Sequence, residues 1–203
     1  MVRTGRRPGN QDTREAILAA AREAFAEKGF DGASIRTIAA GAGVDPALVH
    51  HYFGTKDQLF LASMQVPIDP MALLPTVLAG GTEGIGERLL RTLLGVWDSA
   101  AGGAAAAVVR SAVSNELIAK MMREFIINRI LRRAAKELAL DPVEAPYRAG
   151  LAATQISGLV LMRYIIKVEP LASAPSETIV ALVAPTIQRY LTGPLPPGAV
   201  LPS

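Results

Sequence analysis

The chain has 203 residues, half of them hydrophobic, with 21 basic and 18 acidic side chains and a formal net charge of +3, enough length to bury a substantial core in one or two domains. It contains no cysteine, which excludes disulfides and thiolate zinc sites. Ala, Leu, Arg and Glu favour helices and few stretches alternate apolar and polar residues as a half-buried strand would, so the chain reads as all-α.

The start, Met1 to Asn10, is polar and basic, unlike a secretory signal. Arg3, Arg6, Arg7 and Arg14 meet only Asp12 among acids, which reads either as a basic arm suited to phosphate or as a solvated terminus. A first helix is expected from Asp12 to Lys28. Ile17, Ala21, Ala24 and Phe25 form its apolar stripe, Asp12 and Glu15 a capping box, and Gly29 its end. Ser34 caps a second helix whose buried face is Ile35, Ile38 and Ala39, and which stops at Gly41-Ala42-Gly43. A third begins at the cap Asp45, with Pro46 at the first helical position, and runs to about His51. Two short helices across a glycine-containing turn make a helix-turn-helix pattern. Thr55 and Gln58 form a capping box for a fourth helix, to about Met64.

Pro67, Pro70 and Pro75 then break the chain. This divides it into a head (1–65), a helical body (66–192) and an irregular, proline-containing tail (193–203). Body helices are expected near Glu83–Ala101, Ala104–Ser114, Asn115–Leu140, Pro142–Lys167 and Ser176–Leu191, the last kinked at Pro185. In the third of these, Ile118, Met121, Met122 and Phe125 face inward while Lys120, Arg123 and Glu124 face water. The most apolar stretch, Leu151 to Ile166, carries Thr154, Gln155, Ser157 and Arg163 and is too short and polar for a membrane span. A cytoplasmic location without a membrane partner is the default expectation.

The segment from Ala33 to Leu59 resembles the head of the tetracycline-repressor (TetR) family. Ile38-Ala39, Ala42-Gly43-Val44, Tyr52-Phe53, Lys56 and Leu59 carry the likeness, with Phe25, Lys28-Gly29-Phe30 and Ser34 ahead of them. It extends from about Thr13 to Phe60; beyond that only helical character and length agree. The implied fold is a three-helix helix-turn-helix head on a larger helical ligand-binding and dimerisation body. The implied function is a ligand-responsive regulator, a repressor that leaves a near-palindromic duplex when a small molecule binds the body. An activator, or a ligand-binding or adaptor protein without an operator, are the alternatives.

A major groove accepts one α-helix. Pro46 and Ala47 are small enough to let the third helix sit deep, and Leu48 suits a thymine methyl; by resemblance these three are base-reading positions. Ser34, Arg36, His50, Tyr52 and Lys56 are able to donate to phosphates, and by resemblance they clamp the backbone, Ser34 and Lys56 from helix N-termini. Plain alternatives stand beside them: Tyr52 packing, Lys56 solvated, Arg36 paired with an acid. His50 departs from the family, which more often has tyrosine there, and its protonation would tune the contact. The adjacent His50 and His51 point roughly 100° apart on a helix and do not grip one ion, so neither a metal nor a cofactor is expected.

One short reading helix needs a partner for useful affinity, so the body is expected to form a homodimer. The last two helices supply Gly150, Ala153, Ser157 and Gly158 for close approach and Ile179, Val183 and Ile187 for apolar area, although some of these pack within one chain. The other body helices are expected to enclose a cavity for an apolar or neutral ligand. Its candidate lining is Trp97, Val113, Met121, Met122, Phe125, Met162 and Tyr164, with core packing as the plain alternative. No nucleophile elbow, P-loop or dinucleotide fingerprint is present, so no enzyme is expected.

Overall fold

The computed structural model describes residues 10–195 and 198. Among these, every regular element is helical. The chain divides into two compact units. One takes the chain up to Asp69 together with Ala107–Phe125; the other takes Pro70–Ala106 and the chain from Ile126 onward.

In the first unit, α1 (Asn10–Gly32) is the central support for α2 (Ile35–Gly41), α4 (Lys56–Ser63) and α8 (Glu116–Phe125), and α3 (Pro46–Phe53) packs on α2 and α4. Ile17, Ala21, Ala24 and Phe25 are buried, as their helical spacing predicts. The start differs from expectation: the helix begins at Asn10, so Asp12 lies inside its first turn. The end differs too. Gly29 takes the left-handed φ of +70° expected of a helix terminus, but one more turn follows before the chain leaves at Gly32. That turn carries Phe30 inward, where it meets Phe25, Phe60 and Phe125. Ring centroids there are 4.8–5.8 Å apart, stacked or edge-on. Such pairs add ~0.5–1.5 kcal/mol each beyond the area they bury.

In the second unit, α6 (Ile85–Trp97) and α10 (Glu144–Val160) pack on α11 (Ser176–Thr192). Leu90, Leu94, Ala152, Leu159, Ile179, Val180 and Ile187 form the core. Gly86 lets α6 approach closely: a Cβ there would stand 2.6 Å from both the Ala184 carbonyl and the Gln188 amide. Gln188 secures the crossing by accepting from the Gly86 amide at 2.9 Å and donating to the Thr82 carbonyl at 2.8 Å. On the outer edge Arg91 binds Glu87 and Glu177, and holds the Glu177 carboxyl below the usual carboxylate range.

Three expectations are corrected. The proline cluster does not simply break the chain: α5 (Pro70–Leu78) forms with Pro70 at its start and Pro75 exposed inside it, because Leu74 and Val77 bury on the other side. The long Asn115–Leu140 helix is α8, a π-helical segment (Ile126–Leu131) and α9 (Arg132–Glu137). The Pro142–Lys167 helix likewise ends in a π-helical segment, Leu161–Ile165. α7 (Gly102–Ser114) completes the set, close to its expected bounds.

Candidate nucleic-acid interface

The local chemistry that builds α2, the turn and α3 is the chemistry written in the sequence. The Ser34 hydroxyl accepts from the Thr37 amide at 3.0 Å and starts α2. Gly43, at φ +67°, reverses the chain, and the Val44 amide donates to the Ala39 carbonyl at 3.0 Å. The Asp45 carboxylate accepts from the Ala47 amide at 2.7 Å, and Pro46 opens α3. Thr55 and Gln58 exchange side-chain and backbone bonds at 3.2 Å each to start α4. Ile38, Ala39, Val49 and Phe53 are buried between these helices, so α3 has one orientation relative to α2.

The opposite face of α3 is free of the core. Ala47, His50, His51 and Gly54 are exposed along it, and Pro46 and Leu48 are half-buried at its N-terminal end. Arg36 is exposed on α2 beside Ser34. The His50 ring places Nδ1 2.8 Å from the Gly54 carbonyl. Tyr52 is half-buried, its ring 5.7 Å from His51 and 6.2 Å from Phe53. Lys56 donates to the Asp31 carbonyl at 3.2 Å and sits 4.7 Å over the Phe30 ring, which ties the start of α4 to the end of α1. All eight proposed contact residues therefore lie on one short stretch of capped helices. Arg3, Arg6 and Arg7 lie outside the described residues. Arg14, read as part of the same arm, belongs to α1 and stands 5.3 Å over the Phe53 ring; the spacing of Arg14 to the head core gave no sign of that contact.

The seven proposed pocket residues are divided between the two units, Val113, Met121, Met122 and Phe125 in the first and Trp97, Met162 and Tyr164 in the second. Met121, Met122 and Phe125 belong to α8; Met121 and Phe125 are buried there, Phe125 within the ring cluster around Phe30 and Phe60. Val113 is 81% exposed and Met162 40% exposed, which removes both from any buried lining in this structure. Trp97 and Tyr164 do meet, stacked with centroids 5.1 Å apart. The Tyr164 hydroxyl donates to Asp98 at 2.8 Å, and burial, reinforced by that bond, pushes its ionisation up to about 12. A cavity of about 400 Å³ opens elsewhere, lined by Gly84, Arg91, Glu177, Ala184 and Gln188 among others, and none of the seven lines it.

The proposed interface residues also separate. Gly150, Ala153, Ser157 and Gly158 are exposed on α10, and a Cβ on Gly150 or Gly158 would meet nothing within 4 Å. Ile179 and Ile187 are instead buried in their own subunit's core, with Val183 packed against it. Ile179 and Ile187 therefore have no apolar area left to offer a second chain, which corrects the expectation for those two, while Val183 is half-buried.

Residues 17–63 match the family model for bacterial regulatory proteins of the tetR family. Residues 83–191 match the model for the tetracyclin repressor-like C-terminal domain. Among curated proteins, the HTH-type transcriptional repressor AcnR of Corynebacterium efficiens is 43% identical over 61 residues, 30% of this chain and 31% of that protein. The HTH-type transcriptional regulator BetI of Rhizobium meliloti is 42% identical over 52 residues, 26% of each chain. The chain thus aligns with about a third or less of the length of these relatives. Among solved structures, a TetR-family regulator from Streptomyces coelicolor is 40% identical, with 93% of this chain and 99% of that one covered and a TM-score of 0.42.

Proposed function

Because this chain belongs to the TetR family of bacterial regulatory proteins, we propose that it is a homodimeric cytoplasmic repressor that binds a near-palindromic DNA operator and releases it when a small apolar or neutral molecule occupies the body. The observation that carries the reading is the exposed face of α3, held in one orientation by the α2 turn and presenting Ala47 and His50 outward. Pro46, Ala47 and Leu48 would read bases. Ser34, Arg36, His50, Tyr52 and Lys56 would hold phosphates, which fixes register without reading sequence.

The dimer would form on the outer face of α10, where Gly150, Ala153, Ser157 and Gly158 permit close approach and Leu151 and Leu161 are exposed apolar neighbours. Two heads on one duplex provide the affinity that one short helix lacks. The match of residues 83–191 to a tetracyclin repressor-like domain supports ligand sensing by the body. Among the described residues no three His, Cys, Asp or Glu side chains are grouped to hold a metal, and no single helix is long and apolar enough to cross a membrane.

The experiment is selection of bound duplexes from a random pool, followed by retardation of the DNA upstream of the protein's own coding region and a reporter driven from it. A recovered motif with two related half-sites and a reporter silenced by the protein support the proposal. A reporter switched on makes the protein an activator. A pool without enrichment overturns DNA binding.

A further inference from the structure

We infer that His50 meets the DNA backbone as an imidazolium, so that operator binding takes up a proton at each head; the inference rests on the operator reading above. His50 lies on the exposed face of α3, one turn beyond Ala47. Its Nδ1 is 2.8 Å from the carbonyl oxygen of Gly54, the residue that caps the end of α3. A carbonyl oxygen only accepts, so Nδ1 carries the hydrogen and donates it. The neutral ring is thereby held in the tautomer whose other nitrogen, Nε2, presents a lone pair. A phosphate oxygen is also an acceptor, and two acceptors have no hydrogen to share. Protonation places an N–H on Nε2 without disturbing the bond to Gly54, and creates a charge-assisted donor for phosphate.

Position argues for phosphate rather than a base. The N-terminal residues of a recognition helix reach the base edges, and those here are Pro46, Ala47 and Leu48. His50 follows them in the second turn, towards the capped start of α4. The charged or titratable groups on α3 and on the helices packed against it are Arg36 on α2, Lys56 and Asp57 on α4, and Asp45, His51 and Tyr52 at the cap and along α3, with Arg14 of α1 over the Phe53 ring. Lys56 is engaged by the Asp31 carbonyl and the Phe30 ring. Among the described residues the hydrogen bond of the His50 ring goes to Gly54.

The composition makes the test clean. The chain has two histidines and no cysteine, and imidazole is the side chain that ordinarily changes charge between pH 5 and 8. The complex holds the proton more tightly than free protein does, so affinity is full at low pH and falls as pH rises. With one proton per head, the limiting slope for a dimer is about 100-fold per pH unit.

The measurement is binding of a duplex selected from a random pool at pH 6.5, followed by fluorescence anisotropy from pH 6 to pH 8.5 at constant ionic strength. The full-length parent, H50Y and H51Q are compared. Tyrosine at 50 offers a hydroxyl that does not titrate in this range. The parent is expected to bind about tenfold or more weakly at pH 8 than at pH 6. H51Q is expected to keep that slope and H50Y to lose it. A flat profile for the parent, a slope that survives in H50Y, or a slope lost in H51Q overturns the inference while leaving the operator reading intact. A pool that yields no retained duplex overturns the operator reading, and this inference with it.

Discussion

The carboxylate of Glu124, in the last turn of α8, accepts a hydrogen bond from the backbone amide of Phe30 at 3.2 Å, at the break in α1. Glycine at position 29 leaves room for that carboxylate. Gly29 takes a φ of +70° there, and a Cβ at position 29 would collide with the Glu124 carboxylate. Next in sequence, Phe125 stacks on Phe60 of α4 at 4.8 Å. Two adjacent residues of α8 are thus tied to α1 and α4, and α4 in turn packs on α3.

Glu124→Ala is expected to destabilise the protein by about 1.5–3 kcal/mol, the scale of a hydrogen bond to a charged group. Gly29→Ala is expected to cost at least as much, because it strains a left-handed residue and expels the same carboxylate. Since both remove one bond, the double mutant should be less destabilised than the sum, by roughly 0.5–3 kcal/mol. Urea unfolding of the four proteins checks this. Strict additivity would show that Glu124 and Gly29 act independently.

That pair also marks the limit of what the residues disclose in order. Ser34, Asp45, Thr55 and Gln58 act locally, within three residues of the groups they satisfy, and with Pro46 they made the starts of α2, α3 and α4 legible; the start of α1 was not. Glu124 was read as facing water because Ile118, Met121, Met122 and Phe125 claim the other side of α8. Its true partner lies 94 positions away in sequence, and no periodicity carries that distance. The π-helical segments escaped for a related reason: Ile126–Leu131 and Leu161–Ile165 are mostly apolar and helix-compatible, and nothing local in them marks an extra residue per turn. Ile179 and Ile187 had the apolar character of an interface, but the same character suits a core. Only the position of α6 and α10 on α11 decides between them.

Phosphate contacts and base contacts should separate in binding experiments. Arg36→Ala is expected to weaken binding to all duplexes alike and to lower the salt slope by about one or two, as one phosphate contact per head is lost. Ala47→Ser, on the outward face near the start of α3, is expected to change the preferred base at one position in each half-site with little change in slope. The check is a titration of selected and scrambled duplexes at several salt concentrations. An altered motif with Arg36→Ala would contradict its assignment to the backbone.

Tyr164 gives a spectroscopic signature. Burial first, then donation to Asp98, raise its ionisation to about 12. A group whose folded-state ionisation is raised contributes stability that is complete below the unfolded value, near 10 for tyrosine, and that is lost as pH rises through the folded one. Absorbance titration of tyrosinate is therefore expected to contain a late component near pH 12, absent in Tyr164→Phe. Asp98→Asn should move that component down only part of the way, because burial against Trp97 remains. An unchanged tyrosinate curve in Tyr164→Phe would refute the assignment.

Gly158 separates dimerisation from folding. It lies on the exposed face of α10, and a Cβ there meets nothing within 4 Å. Replacing a mid-helix glycine removes backbone freedom from the unfolded chain, which favours the folded subunit slightly. Gly158→Arg should therefore fold as a single chain. In a dimer that uses this face, the same arginine would force a long cation into a close helix contact. An obligate interface of this type buries upward of ~2,000 Å², and an unpaired charge at its centre costs several kcal/mol. Sedimentation equilibrium at micromolar concentration is expected to give a dimer for the parent and a folded monomer for Gly158→Arg, with matching helical circular dichroism. Operator affinity should then collapse even though every residue of α2 and α3 is intact, because a single head is left to bind one half-site. A variant that remains dimeric would place the interface on another face of the body.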